Sequence, residues 1–195
     1  MTQQQLERFL EACAHIERIG APMPLRHLAN SGGVLHFPET WLDMVRPGIM
    51  MYGVLPDPAS KSNIDVRPAL SLVSQVVYFK VVRAGNTVSY GASWTAGTDT
   101  RVVTIPIGYG DGYPRHAPSG TPVLINGQRY PLAGRVSMDL ITVDIGDAAI
   151  DEGDEAILWG AGLAASEIAS CANTIDYALF CGVTARVARH YRQGC

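Results

Sequence analysis

Between Leu6 and Ile16 the apolar residues Leu6, Phe9, Cys13 and Ile16 fall three or four positions apart. That spacing predicts one buried face of an α-helix. Thr2 and Gln5 stand where a capping box would start it, and Gly20 with Pro22 would stop it. The pattern then shortens. PLRHLAN (24–30) predicts a short strand, SGGVLHFPETWL (31–42) a turn and short helix, and DMVRPGIMMYGV (43–54) a strand running into a helix. Helix, strand, helix and strand in that order is how parallel α/β units read.

Near residue 60 the character changes to mainly β. LSLVSQVVYFKVV (70–82) is rich in β-branched and aromatic residues, and RVVTIPIGY (101–109), ITVDIG (141–146) and EAILWG (155–160) are strand-like runs set off by Gly, Asp and Pro. In PVLINGQRYPL (122–132) two such runs flank Asn126-Gly127, a pair that tolerates the positive φ angles of a type I′ hairpin. ASEIASCAN (165–173) predicts a helix, and DYALFCGVTARVARHY closes the chain. The expected organisation is therefore α/β over 1–60 and mainly β over 61–195, with a linker at PDPASKSNIDV (56–66).

Composition narrows the function classes. The 195 residues are 47% hydrophobic and 17% charged, enough apolar material for one sizeable core or one domain with a smaller piece. A net charge of −3 without a basic cluster argues against nucleic acid as partner. No apolar run reaches the roughly 18 residues of a membrane span, and the start lacks the pattern of a signal peptide. Cys13, Cys171, Cys181 and Cys195 lack CxxC or metal spacing, so they read as reduced thiols of a cytoplasmic protein. The five histidines are equally scattered and no metal site is expected.

Candidate chemistry gathers in a few stretches. HLANSGG and RPGIMMYG each place small residues after a strand and before a helix, where free amides and glycine favour a phosphate; ordinary small-residue turns would read the same way. GYGDGYPR (108–115) is glycine-rich but lacks the ending of a nucleotide loop. TVSYGASW (87–94) sets Tyr90 among small residues, either as a core aromatic or as a side chain held out for chemistry.

LANSGG, RPGIMMYG, VSYGASW, GYGDGYPR, GRVSMDLITVD and TIDYALFCGVTARVARHY stand in the order and spacing of the alanine racemases, and the chain resembles the C-terminal part of that family from about residue 3 to 192. The resemblance implies the last strands of an α/β barrel over 1–60 and the family's C-terminal β domain over 61–195. It implies a cytoplasmic isomerase that interconverts L- and D-alanine with pyridoxal 5′-phosphate, supplies D-alanine for peptidoglycan, and works as a homodimer. Tyr90 matches the catalytic tyrosine, one of two acid–base groups needed because a proton taken from one face must return on the other. A phenol, with an ordinary pKa of about 10, needs neighbouring positive charge to serve as a base. Ser31, Gly48, Ile49 and Tyr177 match positions at the cofactor phosphate, and Arg46 the arginine facing the pyridine nitrogen. Met138 and Asp139 match the substrate-carboxylate loop, while Tyr109, Arg115 and Arg135 match the entry corridor. Gly32-Gly33 stands where alanines are common, and Ser137 where a cysteine is common.

One departure is large. The family's cofactor lysine, in a motif like VKANAYGHG, is absent; the two lysines are Lys61 in the linker and Lys80 in a β run. Without it the covalent link to the cofactor cannot form and one acid–base group is lost. The ring-stacking histidine and the carboxylate-binding arginine are missing too. The chain alone is therefore expected to be inactive as a racemase. Two parallel strands cannot close a barrel, so residues 1–60 are expected to be poorly anchored alone: mobile, packed against another copy, or completed by a separate N-terminal chain. Two alternatives stand beside this reading: a non-catalytic β module for binding or assembly, and a racemase of serine or of many amino acids.

Overall fold

A computed structural model of the chain describes residues 1–56 and 64–192. Most of the expected linker, together with Lys61 and Cys195, lies outside those residues. The chain divides into two compact units, residues 1–67 and 68–195.

The first unit opens with helix α1 (Thr2–Arg18), which buries Leu6 and Cys13 and half-buries Phe9 and Ile16. The expected capping box does not form. Met1 occupies the cap without a side-chain bond, its carbonyl accepting the Gln5 N–H at 3.2 Å, so Thr2 already lies inside the helix. Strands β1 (His27–Asn30) and β2 (Met44–Arg46) pair in parallel, His27 opposite Met44 and Asn30 opposite Arg46, as the alternation of elements predicts. Between them run helix α2 (Ser31–His36) and a 3₁₀ turn (Pro38–Thr40). The side chain of Asn30 caps α2 by accepting the Gly33 N–H at 3.0 Å. Arg26 and Asp43 tie the strand entries together with a two-pronged ion pair at 2.9 Å, and Asp43 also accepts the Arg26 N–H. These hydrogen bonds pull the Asp43 carboxyl down to about 2. A second 3₁₀ turn (Ile49–Tyr52) follows β2.

The second unit is built of strands. The run 70–82 is not one strand but two, β3 (Leu72–Gln75) and β4 (Tyr78–Val82), which join different sheets. The division comes where the backbone changes partners: Val76 bonds Asp154 and Gly153, whereas the Val77 N–H turns to Thr104 at 3.0 Å. One sheet has the antiparallel order β10 (Ile141–Gly146), β7 (Thr100–Ile105), β4. The other has the order β3, β11 (Glu155–Trp159), β8 (Pro122–Ile125), β9 (Gln128–Pro131). The β8–β9 hairpin turns at Asn126 (φ 49°) and Gly127 (φ 77°), the left-handed pair that a type I′ turn requires. Both sheets feed one core, with Val103, Ile105, Val123, Ile125, Val143, Leu158 and Trp159 wholly enclosed. Each such side chain contributes about 1.5–3 kcal/mol by leaving water. Tyr113 stacks on Trp159 with ring centroids 6.0 Å apart, and burial pushes its phenol pKa up. Helices α3 (Ala165–Cys171) and α4 (Asp176–Gly182) close the unit through Ile168 and Leu179, and the closing segment leaves helical geometry after Gly182. A small ribbon, β5 (Thr87–Val88) with β6 (Trp94–Thr95), rests on its own cluster of Val82, Val88, Ala96 and Val102.

Candidate active site

In the first unit four candidate residues converge on the ends of the parallel pair. Ser31 opens α2 directly after β1 and is 1% exposed; its hydroxyl accepts the Met50 N–H at 3.5 Å, so the turns after β1 and β2 meet there. Arg46 ends β2 opposite Asn30, and its guanidinium donates to the Leu28 carbonyl at 3.3 Å. Among the described residues it has no carboxylate partner. At Gly48 an added Cβ would meet nothing within 4 Å, so the turn borders open space. The Gly48 N–H is turned back onto the Arg46 carbonyl at 2.9 Å, while among the described residues the Ile49 N–H has no acceptor. Gly33 has a packing reason that the sequence did not disclose: a Cβ there would sit 3.0 Å from the Ala29 Cβ and 3.2 Å from the Thr40 hydroxyl.

In the second unit Tyr90 stands on a built pedestal, 70% exposed. It follows β5 in a tight turn (Tyr90–Ala92) flanked by left-handed residues: Ser89 (φ 74°, ψ 172°), Gly91 (φ 68°) and Ala92 (φ 49°). Ser89 lies in a region essentially restricted to glycine, at a cost of about 1–3 kcal/mol. Its hydroxyl accepts the Arg135 N–H at 2.8 Å and donates to the Arg135 carbonyl at 3.1 Å. Opposite stands Gly134, where a Cβ would fall 2.3 Å from the Ser89 Cβ. Tyr90, Ser93, Arg115, His116, Ser119 and Arg135 line a cleft of about 390 Å³, so the tyrosine shares its opening with two arginine residues.

The glycine-rich loop 108–112 is explained by crowding rather than by nucleotide binding. A Cβ at Gly108 would lie 2.3 Å from the Met138 and Ser137 carbonyls, and one at Gly112 (φ 107°) 2.2 Å from the Gly182 carbonyl. The loop accordingly lies against the 137–139 turn, with the Tyr109 N–H donating to Ser137 at 3.1 Å and the Gly110 N–H to Met138 at 2.9 Å. The Met138 carbonyl is thus engaged, while its N–H has no acceptor among the described residues. Arg186 braces the turn, donating to Asp139 at 2.6 Å and lying 3.3 Å from Asp111. Its hydrogen bond to Asp139 and the charge of Asp111 raise its own pKa. Tyr109, Met138 and Asp139 are therefore brought together, and Arg115 lies over the Tyr109 ring at 5.8 Å. Tyr177 stands in the first turn of α4, exposed, and among the described residues makes no hydrogen bond to that group. Ser89, Gly134, Asp111 and Arg186 escaped the sequence reading. All four lie inside the motifs quoted from the sequence, but no role was attached to any of them there.

Six motifs thus fall into two turn systems, one after β1 and β2 and one around Tyr90 and Met138. The description "Alanine racemase, C-terminal domain" matches residues 69–191, and "Alanine racemase, N-terminal domain" matches residues 1–56. The chain belongs to the alanine racemase family. The alanine racemase of Shewanella amazonensis is 51% identical over 178 residues, 90% of this chain and 49% of that protein. The crystal structure of the biosynthetic alanine racemase from Pseudomonas aeruginosa shares 44% identity with a TM-score of 0.86, over 98% of this chain and 52% of its own. That of alanine racemase from D-cycloserine-producing Streptomyces lavendulae shares 37% identity with a TM-score of 0.93, over 100% and 52%. The chain spans about half the length of the relatives it matches.

The cofactor that alanine racemases imply can be tested against these residues. Its phosphate end fits: the buried Ser31 hydroxyl carries only one long contact, the Ile49 N–H is open, and Gly48 leaves space beside them. The Gly48 N–H would have to leave the Arg46 carbonyl to join in. Its aldehyde end finds no partner in the described residues, where the lysine is Lys80, exposed on β4.

Proposed function

We propose that this chain is the C-terminal part of an alanine racemase, providing the proton-carrying tyrosine and the phosphate turn, while the cofactor lysine comes from outside the chain. The reading assigns the complete enzyme the interconversion of L- and D-alanine in the cytoplasm as a homodimer, supplying D-alanine for peptidoglycan. Residues 1–60 are assigned to the cofactor barrel and 61–195 to the β domain. The observation that carries it is the pedestal of Tyr90: strained residues on both sides hold a phenol out of the core and into a cleft with Arg115 and Arg135.

When bound, pyridoxal 5′-phosphate supplies an electron sink that makes the hydrogen on the substrate's α-carbon acidic. Ser31 and the Ile49 and Gly48 amides would hold its phosphate, with Tyr177 as a further phosphate contact. Arg46, always protonated, would lie toward the ring nitrogen and would keep it from taking a proton. The open Met138 N–H receives the substrate carboxylate, and Asp139, braced by Arg186, fixes that turn. Tyr90 moves the proton on one face of the α-carbon, and the missing lysine serves the other. Tyr109, Arg115 and Arg135 restrict the amino acids that enter.

The test combines this chain with a lysine-bearing N-terminal half and follows conversion of L- to D-alanine. Tyr90→Phe is expected to lower turnover by about 10²–10⁴-fold while the visible absorbance of bound cofactor persists. Undiminished turnover would remove Tyr90 from the chemistry.

A further inference from the structure

We infer that Ser89 is the positioning residue for Tyr90, its hydroxyl acting as a clamp that fixes the aim of the phenol. The inference rests on the racemase reading only for its kinetic consequence; the clamp itself is a matter of geometry.

Three observations meet at this serine. Its backbone, at φ 74° and ψ 172°, lies where a side-chain-bearing residue stays only if its surroundings hold it. Its hydroxyl closes a two-bond ring on one residue, accepting the Arg135 N–H at 2.8 Å and donating to the Arg135 carbonyl at 3.1 Å. Gly134, itself at φ 92°, leaves the space that the Ser89 Cβ occupies. The segment Gly134–Arg135 thus grips the residue before Tyr90 from a distant part of the chain. Val88, on its other side, is buried and paired with Trp94. Held by Ser89 on one side and by Trp94, the partner of Val88, on the other, the Tyr90 backbone has little freedom, although its side chain is 70% exposed and makes no hydrogen bond among the described residues. An exposed ring would otherwise sample several rotamers. A proton carrier must reach one atom from one direction, and a displacement of about 1 Å can cost about a hundredfold in rate. Within this chain the aim of Tyr90 comes from its backbone, and Ser89 fixes that backbone through its two bonds to Arg135.

Ser89→Gly separates aim from folding, because glycine accepts the left-handed backbone and removes only the hydroxyl and its carbon. The chain is labelled with fluorotyrosine, and the Tyr90 resonance is assigned by its loss in Tyr90→Phe. In Ser89→Gly that resonance is expected to move to the position and width of a free tyrosine, with the buried Tyr113 signal and the thermal midpoint unchanged. With the lysine-bearing half added, kcat should fall about a hundredfold at little-changed KM. Ser89→Ala, which keeps the strain without the clamp, should show the same ring signature. An unchanged Tyr90 resonance in both variants would overturn the clamp, and so would a changed resonance with full kcat. If the unmutated complemented enzyme turns over no alanine, the racemase reading fails, and the resonance alone decides the clamp.

Discussion

Both units of this chain carry candidate site residues, but on very different foundations. In the first, the fully buried apolar side chains among the described residues are Leu6, Cys13, Ala29 and Ile49, and β1 and β2 pair with each other alone. Leu10, Ile19, Leu25, Trp41, Met44 and Met51 stay exposed. In the second, two sheets close on a core running from Leu72 to Leu179, with Trp159, Ile125 and Leu158 wholly enclosed. The difference shows that a site and its support can be separated. The proposed phosphate turn of the first unit is locally complete, since capping, a short parallel pair and one ion pair fix it, but little burial stands behind it. The Tyr90 and Met138 turns are strained and crowded, and can be so because the core beneath them is large.

Truncating that core should break the comparison most strongly. Trp159→Ala is expected to cost about 3–5 kcal/mol in chemical denaturation of the chain. Ile49→Ala, though 2% exposed, should leave the main transition in place and loosen only amide protection in residues 27–52. Next comes crowding. Gly112→Ala sets a Cβ against the Gly182 carbonyl at positive φ and should cost about 1–3 kcal/mol, whereas alanine at Gly48, which borders open space, should cost a fraction of that.

Smaller effects sharpen the picture. Arg186→Leu leaves Asp139 and Asp111 unbraced; in the complemented enzyme KM for alanine should rise several-fold with little change in thermal midpoint, as expected for a loosened carboxylate turn. The smallest effect is one of pH. Asp43 titrates at about 2 in the folded chain because Arg26 holds its charged form, below an unfolded value of about 4. A depressed folded pKa stabilises at pH above the unfolded value, and the gain fades as pH falls from about 4 to 2. Amide protection at the β1–β2 entry should follow that course, and Asp43→Asn should remove the pH dependence without moving the main transition.

Much of the architecture was legible because it rests on local rules. The parallel pair followed from alternating elements, and the β8–β9 hairpin from Asn126-Gly127. Periodicity could not say that residues 70–82 serve two sheets, because Val76 and Val77 are both β-branched and only their distant partners, Asp154 and Thr104, divide them. The capping box misled for a related reason: Thr2 and Gln5 have the right spacing, but Met1 takes the cap. At the site, the resemblance pointed to Tyr90, Ser31 and Met138 through motifs. What holds them was hidden. Nothing local marks Ser89 as left-handed, and its partner lies 46 residues away. The crowding of Gly108 and Gly112 likewise depends on residues 137–138 and 182, which a glycine-rich string cannot reveal.

The central claim is that this chain holds one acid–base group and a phosphate turn but needs a lysine from elsewhere. The most direct measurement records the visible absorbance of added pyridoxal 5′-phosphate together with conversion of L- to D-alanine, for the chain alone and with a lysine-bearing N-terminal half. No covalent cofactor signal and no turnover alone, with both appearing on addition of the half-chain, is the predicted result. Turnover by the chain alone would contradict it and force Lys61 or Lys80 into the cofactor's place.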